Sequence, residues 1–195
     1  MAMIRMIAAA SVVAALSGCA HQISLSTDES KVPALSTQPL DKNVAIVITE
    51  EQSTQEVITP GGGGDKVSYR PYHDLELPMY VSLGHVFKNV TKLKSAPDAA
   101  TIQAQHLDYV ITPTIKTTSS SPSLLTWPPT DFSVTLTCTV TDPTGQKVVT
   151  EDVTGTGHAE FSEFKRNFGL AGQIATTDAV TKLQTALENA PELKK

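Results

Sequence analysis

The stretch Phe132-Ser133-Val134-Thr135-Leu136-Thr137-Cys138-Thr139-Val140-Thr141 decides the fold class. Apolar and hydroxyl-bearing residues alternate through all of it. In a β-strand successive side chains point to opposite faces, so this period of two produces one apolar face and one hydroxylated, uncharged face. Asp142-Pro143-Thr144-Gly145 follows with the residues that tight turns favour. Residues 147–155 then read as the returning strand. A strand wet on one face belongs to an antiparallel sheet covered on its other face.

Working upstream, residues 119–130 have no period and read as a loop containing Trp127-Pro128-Pro129. Residues 107–117 read as a strand, with Pro113 between Ile111 and Ile115 suggesting an edge or a bulge. Val44-Ala45-Ile46-Val47-Ile48 is a nearly continuous apolar run, as expected of a strand covered on both faces or lying at a sheet centre. Residues 54–58 and 67–70 read as two further strands, with Gly61-Gly62-Gly63-Gly64 as the hairpin tip between them. Helices fill the gaps. Met79, Leu83, Val86, Phe87, Val90 and Leu93 recur at three- and four-residue steps after Pro78, which suits a first helical position. A short helix fits residues 98–105. Leu170, Ile174, Val180, Leu183 and Leu187 supply the stripe of a last helix over about 167–189, ended by Pro191. The order implies an α+β fold: a two-layer sandwich, a largely antiparallel sheet with two helices on one face.

The N-terminus carries a different message. Arg5, a short apolar run over residues 7–16 and then Leu16-Ser17-Gly18-Cys19 have the layout of an export signal, and the run is too short to span a bilayer. Leu16-Ser17-Gly18-Cys19 resembles the lipobox of bacterial lipoproteins, which implies cleavage after residue 18 and acylation of the Cys19 thiol. An ordinary cleaved leader with a chance cysteine is the alternative. Ala20 stands where, in enteric-type sorting, an aspartate retains a lipoprotein in the inner membrane; by that rule the anchor is in the outer membrane, with the domain facing the periplasm. The expected organisation is a signal peptide over 1–18, lipidated Cys19 with a flexible tether over 19–43, one domain over 44–190 and a tail over 191–195. As a coil the tether would span on the order of 27 Å.

The chain has 15 basic and 20 acidic residues; loss of the leader removes one cation, Arg5, and leaves −6. An acidic chain without a basic run argues against nucleic acid, and against anionic membrane surfaces, as partners. With Cys19 acylated, Cys138 is the remaining thiol, and no disulfide can form within the monomer.

The order of elements downstream of a lipobox resembles a loose group of small periplasmic lipoproteins. The group includes the YajG-like proteins, the auxiliary lipoproteins of ABC-type transport systems, and the LpoB-like and curli-secretion-type domains related in architecture to the N-terminal domain of TolB. Val44-Ala45-Ile46-Val47, Leu107-Asp108-Tyr109-Val110-Ile111 and the 132–140 strand carry the resemblance. It implies the architecture and the compartment and carries over no site residues; that members of the group serve mainly as accessory or assembly factors is an analogy of fold.

The motifs that would carry chemistry are missing their partners. The four glycines lead into Asp65 and a strand instead of Gly-Lys-Ser/Thr and a helix, as a phosphate loop requires. The histidines at 21, 73, 85, 106 and 158 form no metal-binding helix pair, and His158-Ala159-Glu160 lacks the Pro-Cys-x-x-Cys half of a deaminase zinc site. No Gly-x-Ser-x-Gly elbow occurs. Cys138 shares the apolar phase of its strand and is expected to be buried. Phe161 and Phe164 are expected to plug the end of the core, with a partner site as the alternative. No catalytic residue, cofactor or metal is expected. The candidate contact with an envelope protein is the loop centred on Trp127, Pro128 and Pro129, with the threonine face beside it. An aromatic on a chain stiffened by prolines loses little entropy on capture. Against this stands a Trp127 folded back to seal the core. The reading is an outer-membrane-anchored binding or assembly module; its rivals are a purely structural envelope protein and, third, an enzyme.

Overall fold

The structure, a computed structural model, describes residues 20–35 and 38–194; the leader and the acylation candidate Cys19 lie outside the described residues. In chain order the elements are β1 (His21–Gln22), β2 (Leu40–Val47), α1 (Glu50–Thr54), β3 (Val57–Pro60), β4 (Lys66–Tyr69), α2 (Pro71–Val86), β5 (Phe87–Leu93), α3 (Ala99–Ala104), β6 (Tyr109–Ser120), β7 (Asp131–Thr141), β8 (Lys147–His158), α4 (Phe161–Phe164) and α5 (Leu170–Asn189). The main sheet has five strands in the order β5-β2-β6-β7-β8, and a smaller one has the order β1-β4-β3. This is the α+β two-layer sandwich, with α2 and α5 packed together over one face of the main sheet.

The alternating stretch is β7, buried at every second residue from Phe132 to Val140. It pairs antiparallel with β6 along residues 110–120 and with β8 along 147–158. Alanines 171, 175 and 179 of α5 lie directly on β8 because Gly155 and Gly157 face them; a Cβ on Gly155 would stand 2.2 Å from the Ala179 nitrogen. Val180, Leu183 and Leu187 of the expected stripe are buried and Leu170 packs against the core, while the close approach adds Ala171, Ala175 and Ala179 to the buried face and leaves Ile174 exposed.

The other half of the sheet is parallel. β2 runs between β5 and β6, parallel to both. Val44, Ile46 and Ile48 enter the main core, while Ala45 and Val47 pack with Leu107, Val110 and Ile102 of α3 on the opposite face. Cover on both sides explains the continuous apolar run. Pro113 lies inside a central strand, yet β2 accompanies β6 only as far as Ile111. Beyond that, the Ile115 N–H donates to the Tyr72 hydroxyl at 3.2 Å. The Pro113 nitrogen, two residues away, faces the same side, where no ladder partner is lost.

Two sequence expectations are corrected here. The helix read across residues 78–93 is two elements: α2 begins at Pro71, contains Pro78, and gives way at Phe87 to β5. Three- and four-residue spacing persisted across a junction where the chain turns to pair with β2. The segment 20–43 is also not a free tether. Ile23, Leu25 and Val32 are buried in the core. The Leu25 N–H donates to the Asp74 carboxylate at 2.9 Å, and the Ile23 N–H to the Ser68 carbonyl at 2.9 Å. β2 itself starts at Leu40. At the other end, Leu193 of the expected tail is fully buried.

Candidate functional site

Opposite α2 and α5, the outer face of β6, β7 and β8 is uncovered. The strand register sets its side chains in ranks: Thr112, Thr139 and Thr150; Thr114, Thr137 and Asp152; Lys116, Thr135 and Thr154; Thr118, Ser133 and Thr156. Neighbours bond across the strands, Thr118 to Ser133 at 2.7 Å and Thr135 to Thr154 at 2.9 Å. The Thr137 hydroxyl donates to Asp152 at 3.2 Å. Alternation in the sequence made this face visible; its extent across three strands needed the register.

The last rank is Ser120, Asp131 and His158, at the edge of an open depression of about 670 Å³ whose lining includes Thr118, Ser133 and Thr156. The His158 ring lies between two carboxylates, Nδ1 at 2.8 Å from Asp131 and Nε2 at 2.9 Å from Glu160. Those two hydrogen bonds raise its pKa to about 8. The bond from His158, then that from Thr130, holds the Asp131 carboxyl below the usual range. The sequence reading considered His158-Ala159-Glu160 only as half of a zinc motif and missed Asp131, which the β7–β8 register brings to it. No group of residues suited to holding a metal ion occurs among the described residues.

At this same end, residues 121–130 leave β6 and enter β7. Trp127 is half-buried, stacked on His21 with ring centroids 4.1 Å apart and tilted against Phe168 at 4.7 Å. Pro128 and Pro129, expected beside it in an exposed contact, are buried and present no surface. The exposed residues of the loop are Pro122, Leu124 and Leu125, the two leucines 86% and 97% accessible. Sequence reasoning passed over them, although two adjacent leucines in a periodless segment were the available signal.

The four glycines are more than a hairpin tip. The Gly62 and Gly63 N–H groups donate to the carbonyls of Trp127 and Ser123, each at 2.8 Å. A Cβ on Gly62 would come within 2.0 Å of the Thr126 oxygen, so backbone meets backbone where no side chain fits. Two other expectations are settled by burial. Cys138 is fully buried, and desolvation, then the charge of Glu151, pushes its thiol up to about 12. That removes the thiolate a nucleophile needs. Phe164 does plug the core, whereas its neighbour Phe161 is 59% exposed.

No family model matches the chain, and no curated protein matches it. Among solved structures it is similar to a protein of the DUF330 family from Xanthomonas campestris, with a TM-score of 0.48 at 10% identity over 86% of this chain and 89% of that one. It is also similar to a minor lipoprotein from Acinetobacter baumannii, with a TM-score of 0.41 at 12% identity over 75% of this chain and 92% of that one. Nothing about activity or partner follows from likenesses of this strength. Among the described residues no helix is long and apolar enough to cross a membrane.

Proposed function

We propose that this protein is a lipid-anchored accessory module of the bacterial cell envelope. Acylated Cys19 holds the domain at the periplasmic side of the outer membrane, and the open face of β6, β7 and β8 docks a partner protein. The lipobox directly after the apolar run supports the anchor. The observation that carries the docking half is the face itself. Helices α2 and α5 cover one side of three long strands, and the other side is bare beyond Val110, where α3 packs. Within the four hydroxyl ranks only Lys116 and Asp152 are charged. Hydroxyls already bonded to one another across the strands are ordered before any partner arrives, so capture costs little side-chain entropy.

Site-specific photocrosslinking in intact envelopes tests this reading. A photoreactive residue at Thr114, Thr137 or Thr154 is expected to give the same discrete adduct. The same probe at Thr185, exposed on α5, is expected to give none. Thr137→Arg should abolish the adduct from Thr114 without unfolding the domain. Adducts that are diffuse, or equal at Thr185, overturn the docking reading in favour of a purely structural lipoprotein.

A further inference from the structure

We infer that Leu124 and Leu125 are a second membrane contact, inserted into the interfacial region of the same bilayer that holds the acyl chains of Cys19. The inference rests on the acylation proposed above. It begins from the loop. Leu124 and Leu125 are 86% and 97% accessible, so their side chains touch almost nothing of the domain. The loop that presents them is nonetheless ordered. The Ser123 hydroxyl oxygen accepts from the N–H groups of Leu125 and Thr126 at 3.2 and 3.1 Å, and the Ser123 carbonyl accepts from Gly63. Two leucines held out together on a fixed loop are an apolar surface waiting for cover.

The position of the chain's anchor says what covers them. Cys19 is two residues from His21, a reach of at most about 7 Å. His21 is pinned: it pairs with Val67 of β4, lies 3.6 Å from Asp65 and stacks on Trp127. Trp127 is in turn three residues from Leu124, a reach of at most about 11 Å. The acyl chains and the leucines therefore leave the domain at the same end. A free tether would let the domain float away from the headgroups, but residues 20–32 are packed into the fold and supply no slack. The bilayer is brought to this end of the molecule by the anchor itself.

The chemistry of the loop itself suits a lipid interface, although Asp65, Asp131 and Glu160 stand at the same end. No residue from 121 to 130 is charged. The same loop carries Trp127, half-buried against Phe168, itself 45% exposed, and aromatic rings favour the headgroup level. Burial of each leucine in the interface strengthens partitioning on the order of tenfold, which orients the domain on an anchor that already holds it.

Trp127 is the single tryptophan of the chain, so its emission reports from this loop alone. The full lipidated protein would be reconstituted in phosphatidylethanolamine–phosphatidylglycerol vesicles containing lipids brominated along their acyl chains. Bromolipid is expected to quench Trp127, and the bilayer to shield it from aqueous iodide. Leu124→Ser with Leu125→Ser should remove most of the quenching while keeping both the fatty-acid label and the melting temperature. On the unlipidated Cys19→Ser background, the same pair should weaken vesicle binding on the order of a hundredfold. Labelled protein whose Trp127 ignores bromolipid and is quenched by iodide as in water overturns the insertion and leaves the anchor standing, whether or not a protein then covers the leucines. Absence of fatty-acid label overturns the anchor, and the insertion with it.

Discussion

Residues 20–32 and residues 121–130 are both rich in serine and threonine. Neither sustains a period beyond a few residues, though Ile23 and Leu25 alternate with Ser24 and Ser26, and the first segment alone carries charge, at Asp28, Glu29 and Lys31. In the fold they part. The first lies along β4, α2 and α5, with Leu25 fully buried and its N–H taken by Asp74. Thr27 bonds Thr177, and Gln173 donates to the Ser24 carbonyl. The second is held by its backbone, against the glycines, and turns its leucines outward. Composition predicts that a segment lacks regular structure; it does not predict whether the segment is loose. What decides is whether the rest of the fold offers acceptors for its N–H groups and a cavity for its apolar side chains.

The sharpest break of this comparison is Leu25→Ala. If residues 20–32 belong to the core, urea unfolding should show a loss of about 2–5 kcal/mol, the usual result of emptying a buried leucine site. A tether would lose nothing, and an unchanged midpoint would return this segment to that reading. Trp127→Ala comes next. The ring is only half-buried, between His21 and Phe168, so about 1–2 kcal/mol is expected, below the ~3–5 kcal/mol of a fully buried large aromatic. The full loss would make it a core plug. No loss would make its packing incidental.

The smallest effect belongs to His158, beside the point where the loop ends. An NMR titration should place its midpoint at about 8. Its pKa is raised in the fold, so its pairing with Asp131 and Glu160 stabilises fully below the unfolded value near 6.5 and is lost as pH rises through about 8. Asp131 is shifted the other way: its contribution is present above 3.8 and fades as pH falls through its lowered value. The histidine is exposed, so the melting temperature should barely follow the titration. His158→Gln should abolish the titration without moving the midpoint of unfolding. A large shift in stability would mean that this end is held by charge as well as by burial.

Legibility followed the range of the interactions involved. The β7–β8 hairpin was readable because alternation and turn chemistry are written within one stretch of chain, and Cys138 inherited its burial from that phase. The junction at Phe87 was not, since Met79, Leu83, Val86, Val90 and Leu93 keep a helical spacing through it and the strand exists only because β2 is there to pair with. Gly61 and Gly62 were seen as a turn, while their reason, the backbone of Thr126 and Trp127 pressed against them, lies far along the chain. Of the candidate site, the hydroxyl face was half visible; the approach of Asp131 to His158, and the exposure of Leu124 and Leu125, were not.

By itself the sequence determined an α+β chain with an open, uncharged strand face, a buried Cys138 and an N-terminus with the layout of a lipoprotein signal. Each of these rests on periodicity or on a contiguous motif, and local geometry converts such patterns directly into faces and turns. The tertiary structure alone decided that Ile23, Leu25 and Val32 are core, that Pro128 and Pro129 are inside while Leu124 and Leu125 are outside, and that His21 reaches Trp127. Those outcomes depend on which distant groups are left unpaired, or unfilled, once the main sheet and its helices have packed, and no local pattern encodes what remains to be covered.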